Sequence, residues 1–185
     1  MNWFCKWLSK HDRHRTIFDR DGLKPYIERF YVLFKPAVGH NGTGKPFNVF
    51  LHNIKESDEP VYHDHPWWSL SIILKGGYIE HIPLWIRSTP VVPEGFITDV
   101  PVKRKAGSII FRKLGHGRSI SRNFHWLELT HKDTWTIFIH GPRVQTWGFL
   151  KLGKDGFGFP IWQYWRDYLK EKRGTENGTD NQTKA

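Results

Sequence analysis

Between residues 26 and 152 the chain is a succession of short segments rich in aromatic and β-branched residues, each closed by glycine, proline or a polar turn. Such side chains pack well on a pleated sheet, and many short strands separated by turns indicate a closed barrel or a double-sheet jelly roll. Residues 26–34, 47–54, 69–75, 78–85, 108–112, 124–129, 134–140 and 147–152 read as strands. The segment 69–75, SLSIILK, is of the buried type, and Gly76-Gly77 is expected to turn it into 78–85 as a hairpin partner. The loop 36–45 is glycine-rich, and the proline-containing stretch 89–102 is expected to lie outside the barrel. The expectation is thus an all-β fold flanked by two short helices. One is amphipathic, carries Trp3, Phe4, Trp7 and Leu8, and is expected to dock on the barrel. The other covers 161–172 and packs through Trp162, Trp165 and Leu169.

A chain of 185 residues holds one domain with a substantial core. The expected organisation is an N-terminal helical and basic arm over 1–20, a barrel over 21–158, a helix over 159–173 and a disordered polar tail over 174–185. Ten tryptophans and an aromatic content of 16% argue against a disordered chain. A single cysteine, Cys5, excludes an internal disulfide framework. The first ten residues lack the apolar centre of a signal peptide, and no run approaches the ~20 apolar residues of a membrane helix. The expected location is the cytoplasm, of the host if the chain is phage-encoded. The formal charge of +10 admits a solvated basic surface or a polyanionic partner such as a nucleotide or nucleic acid. Clusters at Arg13, Arg15 and Arg20, at 103–105, and at Arg112, Lys113, Arg118 and Arg122 suit the second, but no nucleic-acid-binding motif accompanies them.

The sharpest local feature is His63-Asp64-His65. Two histidines one residue apart on an extended chain face the same side, so both imidazoles reach one ion, while Asp64 points away. Neutral imidazole suits zinc, iron, nickel and copper. A buried strand follows at once, which places the pair in a barrel wall.

These residues resemble the first motif of the cupin superfamily, H-x-H followed by a glutamate and a glycine: here His63, His65, then Ser69 at the glutamate position, then Gly76. Gly107-Ser-Ile-Ile-Phe-Arg and His125 resemble the second motif. Over about 26–164 the chain is similar to small bacterial and phage cupin-like proteins of unassigned activity, through HDHPW, a strand with GGY, a glycine strand, an H-x-x-EL segment and WT-x-F-x-x-GPR-x-x-x-WGF. The resemblance implies a cupin-type double-stranded β-helix holding a divalent metal, with Fe(II) first and Zn, Mn or Ni as alternatives. Ser69 removes the family's glutamate ligand and leaves His63, His65 and His125, a three-histidine set similar to that of cysteine dioxygenase in that respect alone. His116, in a Gly-His-Gly loop, is the rival third ligand; His125 is preferred because a strand fixes an imidazole better.

Around this set, His140 is a candidate acid or base, Arg143 a candidate partner for a substrate carboxylate or phosphate, and Tyr78 and Glu80 candidates to face the cavity. Each also has a structural reading. Glu128 is expected on the opposite face from His125, His52 is read as core or surface with an approach to the site from a neighbouring strand as the alternative, and Trp67, Trp68 and Trp135 are read as core, with one of them lining the pocket as the alternative. The function expected is that of a non-haem iron(II) oxygenase for a small polar or anionic substrate. A metal-dependent sugar isomerase or epimerase and a non-catalytic ligand- or nucleotide-binding module are the alternatives. A homodimer is compatible with the aromatic surface.

Overall fold

The computed structural model describes residues 2–19, 23–35, 46–86, 96–114, 123–151 and 160–179. Two helices and eleven strands lie among them: α1 (Asn2–Lys10), β1 (His14–Phe18), β2 (Pro25–Tyr31), β3 (Asn48–Ile54), β4 (Ser69–Lys75), β5 (Gly77–Ile86), β6 (Phe96–Lys105), β7 (Ile109–Arg112), β8 (Trp126–Leu129), β9 (Thr134–His140), β10 (Gly148–Lys151), β11 (Ile161–Tyr164) and α2 (Trp165–Thr179).

One sheet has the order β1-β2-β3-β9-β4-β7, a second β6-β5-β8, and β10 pairs with β11. Residues 62–64 join the last two groups. His63 exchanges two backbone hydrogen bonds with His125 (3.0 and 3.1 Å), Asp64 N donates to the Gly148 carbonyl (3.1 Å) and Leu150 N to that of Tyr62 (2.8 Å). The second layer therefore runs β6-β5-β8, residues 62–64, β10, β11. From β3 to β9 the chain alternates between the layers except at the β5–β6 hairpin, so that β3, β4, β7 and β9 share one and residues 62–64, β5, β6 and β8 share the other. That interleaving is a jelly roll: the cupin-type double-stranded β-helix is the fold of this chain. β1 and β2 extend the first layer beyond it.

The core follows from strand alternation and from one helix face. Leu8 and Cys5, three residues apart on α1, bury against Phe30 and Leu51. Burying Leu8 to 1% exposure contributes about 1.5–3 kcal/mol. A second cluster, Ile73, Tyr78 and Ile110, lies between the two layers.

Five expectations are corrected. Segments 69–75 and 78–85 are not a hairpin: β4 pairs with β7 and β9, β5 with β6 and β8. Gly76-Gly77 instead carries the chain from one layer to the other. Gly76 sits at φ +78°, which only glycine adopts freely, and a Cβ on Gly77 would fall 2.4 Å from the Arg104 carbonyl oxygen. The stretch expected outside the barrel holds the ten-residue β6, with Pro101 opposite His81. β6 ends its layer, and an edge strand tolerates a residue without an N–H. Residues 161–164 form β11 rather than the start of a helix, in register with β10 from Lys151↔Ile161 to Gly148↔Tyr164. α2 then continues to Thr179, into the stretch expected to be disordered, and β1 lies within the expected arm.

Candidate metal centre

In an antiparallel ladder, residues that exchange both backbone hydrogen bonds lie directly opposite and project to the same face. His63 and His125 are such a pair, and His65 projects two residues further along that face. The three rings converge, with centroids 5.1–5.3 Å apart, and one nitrogen from each lies within 4.8 Å of the others. His65 Nε2 and His125 Nε2 are 2.9 Å apart. Two nitrogens each ~2.1 Å from one ion and ~90° apart around it would be separated by about 3.0 Å, so this pair fits a shared divalent ion without rearrangement. The three histidines therefore form a set that could bind a divalent metal.

Their chemistry suits the role. Burial, then the charges of neighbouring groups, Arg112 first, hold His125 down to about pKa 3 against the opposing hydrogen bond to Glu80. Burial and the neighbouring His125 and His63 hold His65 well below its ordinary value. Both are neutral, as a ligand must be. Glu80 sets the tautomer. Its Oε1 lies 3.0 Å from His125 Nδ1, so that nitrogen carries the proton and Nε2 keeps its lone pair for the cavity. Glu80 is 1% exposed, and Arg104 (2.8 Å) and Arg112 pair with it. Burial alone would raise its pKa, but His125 and the guanidinium of Arg112 overcome that and hold the carboxyl well below its usual range.

The backbone that presents the histidines is fixed by polar contacts. Asp64 points away from the ion, as alternation predicts, and accepts hydrogen bonds from Gly148 N (2.7 Å) and Trp162 Nε1 (3.1 Å). Gln145 Nε2 donates to the His65 carbonyl at 3.1 Å. Glu128 lies on the outer face against His81 Nε2 (3.1 Å), also as expected.

The cluster opens into a cavity of about 130 Å³ that Tyr78 and Ser69 also line. Burial and the Glu80 carboxylate push the Tyr78 hydroxyl up, so it stays a proton donor. The other two candidates are placed elsewhere. Arg143 is exposed and its Nε reaches the Gln145 carbonyl at 3.4 Å. His140 packs its ring on Trp67 (4.4 Å) and Phe50 (4.9 Å) and donates Nδ1–H to the Gly141 carbonyl (2.7 Å). Neither lines the cavity. His116 lies outside the described residues, as do Arg118 and Arg122 of the basic loop. Of the tryptophans, Trp67 is the one that lines the cavity; Trp135 packs in the core with Phe30, and Trp68 lies against Gly141.

Three residues carry more than the sequence reading assigned. The sequence offers Glu80 as a residue that could face the cavity and serve as the base of an isomerase. Arg112 was one member of a basic run, and here it closes the carboxylate network. His52, read as core or surface, lines the cavity with Arg29. Alternation along β3 places His52 and Phe50 on one face, but no local signal says that Arg29 of β2 lies opposite His52. His63, Tyr26 and Asp58 line both this cavity and an outer groove of about 380 Å³ with Trp147, Phe149 and Trp165.

No family model matches the chain, and no curated protein does. Solved structures do. A double-stranded β-helix protein of Klebsiella pneumoniae is 16% identical over 66% of this chain and 83% of its own, at a TM-score of 0.38. An RmlC-like cupin protein from Ralstonia eutropha is 10% identical over 89% and 83%, at 0.39. The polyketide cyclase RemF of Streptomyces resistomycificus is 14% identical over 70% and 75%, at 0.42. At these values the matches add nothing to the strand order, on which the fold rests.

Proposed function

We propose that this cupin-fold chain is a metal-dependent enzyme, a non-haem iron(II) oxygenase acting on a small polar or anionic substrate. The observation that carries the reading is the convergence of His63, His65 and His125 at a cavity, with no carboxylate oxygen completing the set among the described residues. Three imidazole nitrogens leave positions on an ion for ligands from solution, as a catalytic site requires. Iron(II) bound there would supply dioxygen and one-electron chemistry that no side chain supplies.

The protein's own groups do the rest. Glu80 holds the Nδ1 proton of His125 and so aims Nε2. Tyr78 offers a hydroxyl that remains protonated. The cavity, of about 130 Å³, suits a small ligand. The isomerase alternative needs a free base. Glu80 is tied into ion pairs and His140 is packed between aromatic rings, which favours the oxygenase.

The test is metal content by mass spectrometry on untagged protein purified without chelator. The expected result is about one equivalent of iron, lost in His63→Ala and His125→Ala and kept in His116→Ala, followed by oxygen uptake in a screen of small acids. Loss in His116→Ala with retention in His125→Ala would move the third ligand into the loop. No metal in the wild type, even after anaerobic iron or zinc loading, would leave a non-catalytic binding module as the better account.

A further inference from the structure

The cavity contains a cation that the carboxylate network does not neutralise. Four charged side chains line it: Arg29, Asp58, Glu80 and Arg112. Glu80 is consumed by Arg112 and Arg104. Asp58 accepts from the Tyr26 hydroxyl through Oδ1 and from the Leu127 amide (2.7 Å) through Oδ2, and makes no ion pair with Arg29. Among the described residues no carboxylate pairs with Arg29.

What holds Arg29 instead is weaker. Its Nε donates to His52 Nε2 at 3.0 Å, its guanidinium lies 4.6 Å from the centroid of the Phe50 ring, and the Tyr31 hydroxyl is beside it. His52 is neutral, since burial first and the Arg29 charge second hold its pKa well below the ordinary value. The Nε bond leaves both terminal NH₂ groups of the fork out of it. A part-buried guanidinium held only by neutral groups is costly to keep unless something anionic meets it in the working state.

A second donor lines the same cavity. The indole Nε1–H of Trp67 is buried and has no acceptor. Buried N–H groups are satisfied in the great majority of cases, so an orphan points to a partner that is not part of the protein. A cation with no anion paired to it among the described residues and a donor with no acceptor call for the same occupant.

We propose that Arg29 and the Trp67 indole receive the carboxylate of a small monocarboxylic acid, leaving its other end free to reach the three-histidine cluster. Three observations select a carboxylate. Arg29 offers a single uncompensated charge. A guanidinium fork matches a planar two-oxygen anion. The walls are flat, with the His52 ring lying against Phe138 (5.2 Å, 21°) and near-parallel to Phe50 (5.5 Å, 23°). The strand that brings Arg29 is β2, which lies outside the eight strands of the jelly roll, so the anion site is an addition this chain makes to its barrel. The identity of the substrate class deepens the oxygenase reading, but the anion site itself does not depend on a metal.

The experiment is saturation-transfer NMR on metal-free protein with three probes: propionate, its uncharged counterpart propionamide, and inorganic phosphate. Propionate should bind saturably, with propionamide at least tenfold weaker. Arg29→Met should weaken propionate at least tenfold and Trp67→Phe, which keeps the ring packing on His140, about threefold, while Lys170→Gln, which removes an exposed charge, should change nothing. Equal binding of propionate and propionamide by the wild type would overturn the proposal without any variant, as would propionate affinity unaltered in folded Arg29→Met. Phosphate binding as tightly as propionate would overturn the carboxylate assignment. Metal content measured on the same preparations separates the two readings: saturable propionate binding by a protein that takes up no metal would sink the oxygenase and leave the anion site standing, and metal uptake without propionate binding would do the reverse.

Discussion

Two buried histidines on opposite faces of the β6-β5-β8 sheet show how the same residue type is put to different ends. His125, on the cavity face, has one ring nitrogen committed to Glu80 (3.0 Å) and the other turned toward His65 (2.9 Å). His81, on the outer face, has both committed to carboxylates, Nδ1 to Asp99 at 2.5 Å and Nε2 to Glu128 at 3.1 Å, and its ring stacks on Trp126 at 3.6 Å. Glu80 and His81 are neighbours on β5, so pleating alone sends one to each face. The lesson is that a ligand histidine is recognised by the nitrogen left unoccupied. His81 has three acidic or phenolic groups around it, since Tyr62 donates to Asp99 at 2.6 Å, and is a clamp across β5, β6 and β8. His125 has one carboxylate and a gap.

Glu80→Gln tests the contrast hardest. It leaves Arg104 and Arg112 around a neutral amide and loosens the His125 tautomer. A loss of about 3–5 kcal/mol in denaturant titration is expected from the broken buried pairs, with metal affinity down about 10–100-fold. Unchanged metal affinity in a folded Glu80→Gln protein would break the contrast, because Glu80 would then be structural only.

His81→Phe keeps the stack on Trp126 and removes both hydrogen bonds. Asp99 and Glu128 are 39% and 52% exposed, so solvent screens the loss to about 1–2 kcal/mol. Metal content should be unaltered; a metal-deficient His81→Phe would show that the two faces are coupled. Removing the Asp64–Trp162 hydrogen bond with Trp162→Phe should cost about 1 kcal/mol and lower metal affinity only slightly, since Gly148 N still holds Asp64.

The last contrast is in pH. His52 is neutral when folded because its pKa is depressed by burial and by Arg29. Below its unfolded value of about 6.5 the unfolded chain takes a proton that the folded chain refuses, so stability is fully present above that pH and is lost as pH falls through and below it. Denaturant midpoints of metal-free protein should drop as pH falls from 7 toward 4 (about three units), less steeply in His52→Phe. An identical slope in that variant would show that His52 does not carry the effect.

How much of this was legible in the sequence divides along physical lines. The strands were readable wherever alternation or a buried run is local, as in 69–75 and 134–140, and so was the H-x-H pair, whose geometry needs only one strand. β6 was not readable, because the proline-containing stretch 89–102 read as an excursion from the barrel, and only its position at a sheet edge makes Pro101 acceptable. The Gly76-Gly77 turn was read as a hairpin, since nothing local tells a reversal within a sheet from a step between sheets. Glu80 and Arg29 depend on neighbours 45 and 23 residues away, His125 and His52, and no pattern on their own strands announces the pairing. The resemblance directed attention to Ser69 as the missing carboxylate, while the carboxylate that serves His125 stands on the next strand.

The backbone bridge between His63 and His125 closes a chain segment of about sixty residues, so the cluster cannot exist in any locally folded fragment. It assembles only when strands remote in sequence have met, which is the late, slow part of folding a barrel of non-local pairings. A metal ion bound there acts after the rate-limiting event. Added metal should therefore leave the refolding rate nearly unchanged and slow unfolding instead, and the protein's persistence in the cell would follow the metal supply rather than its rate of folding.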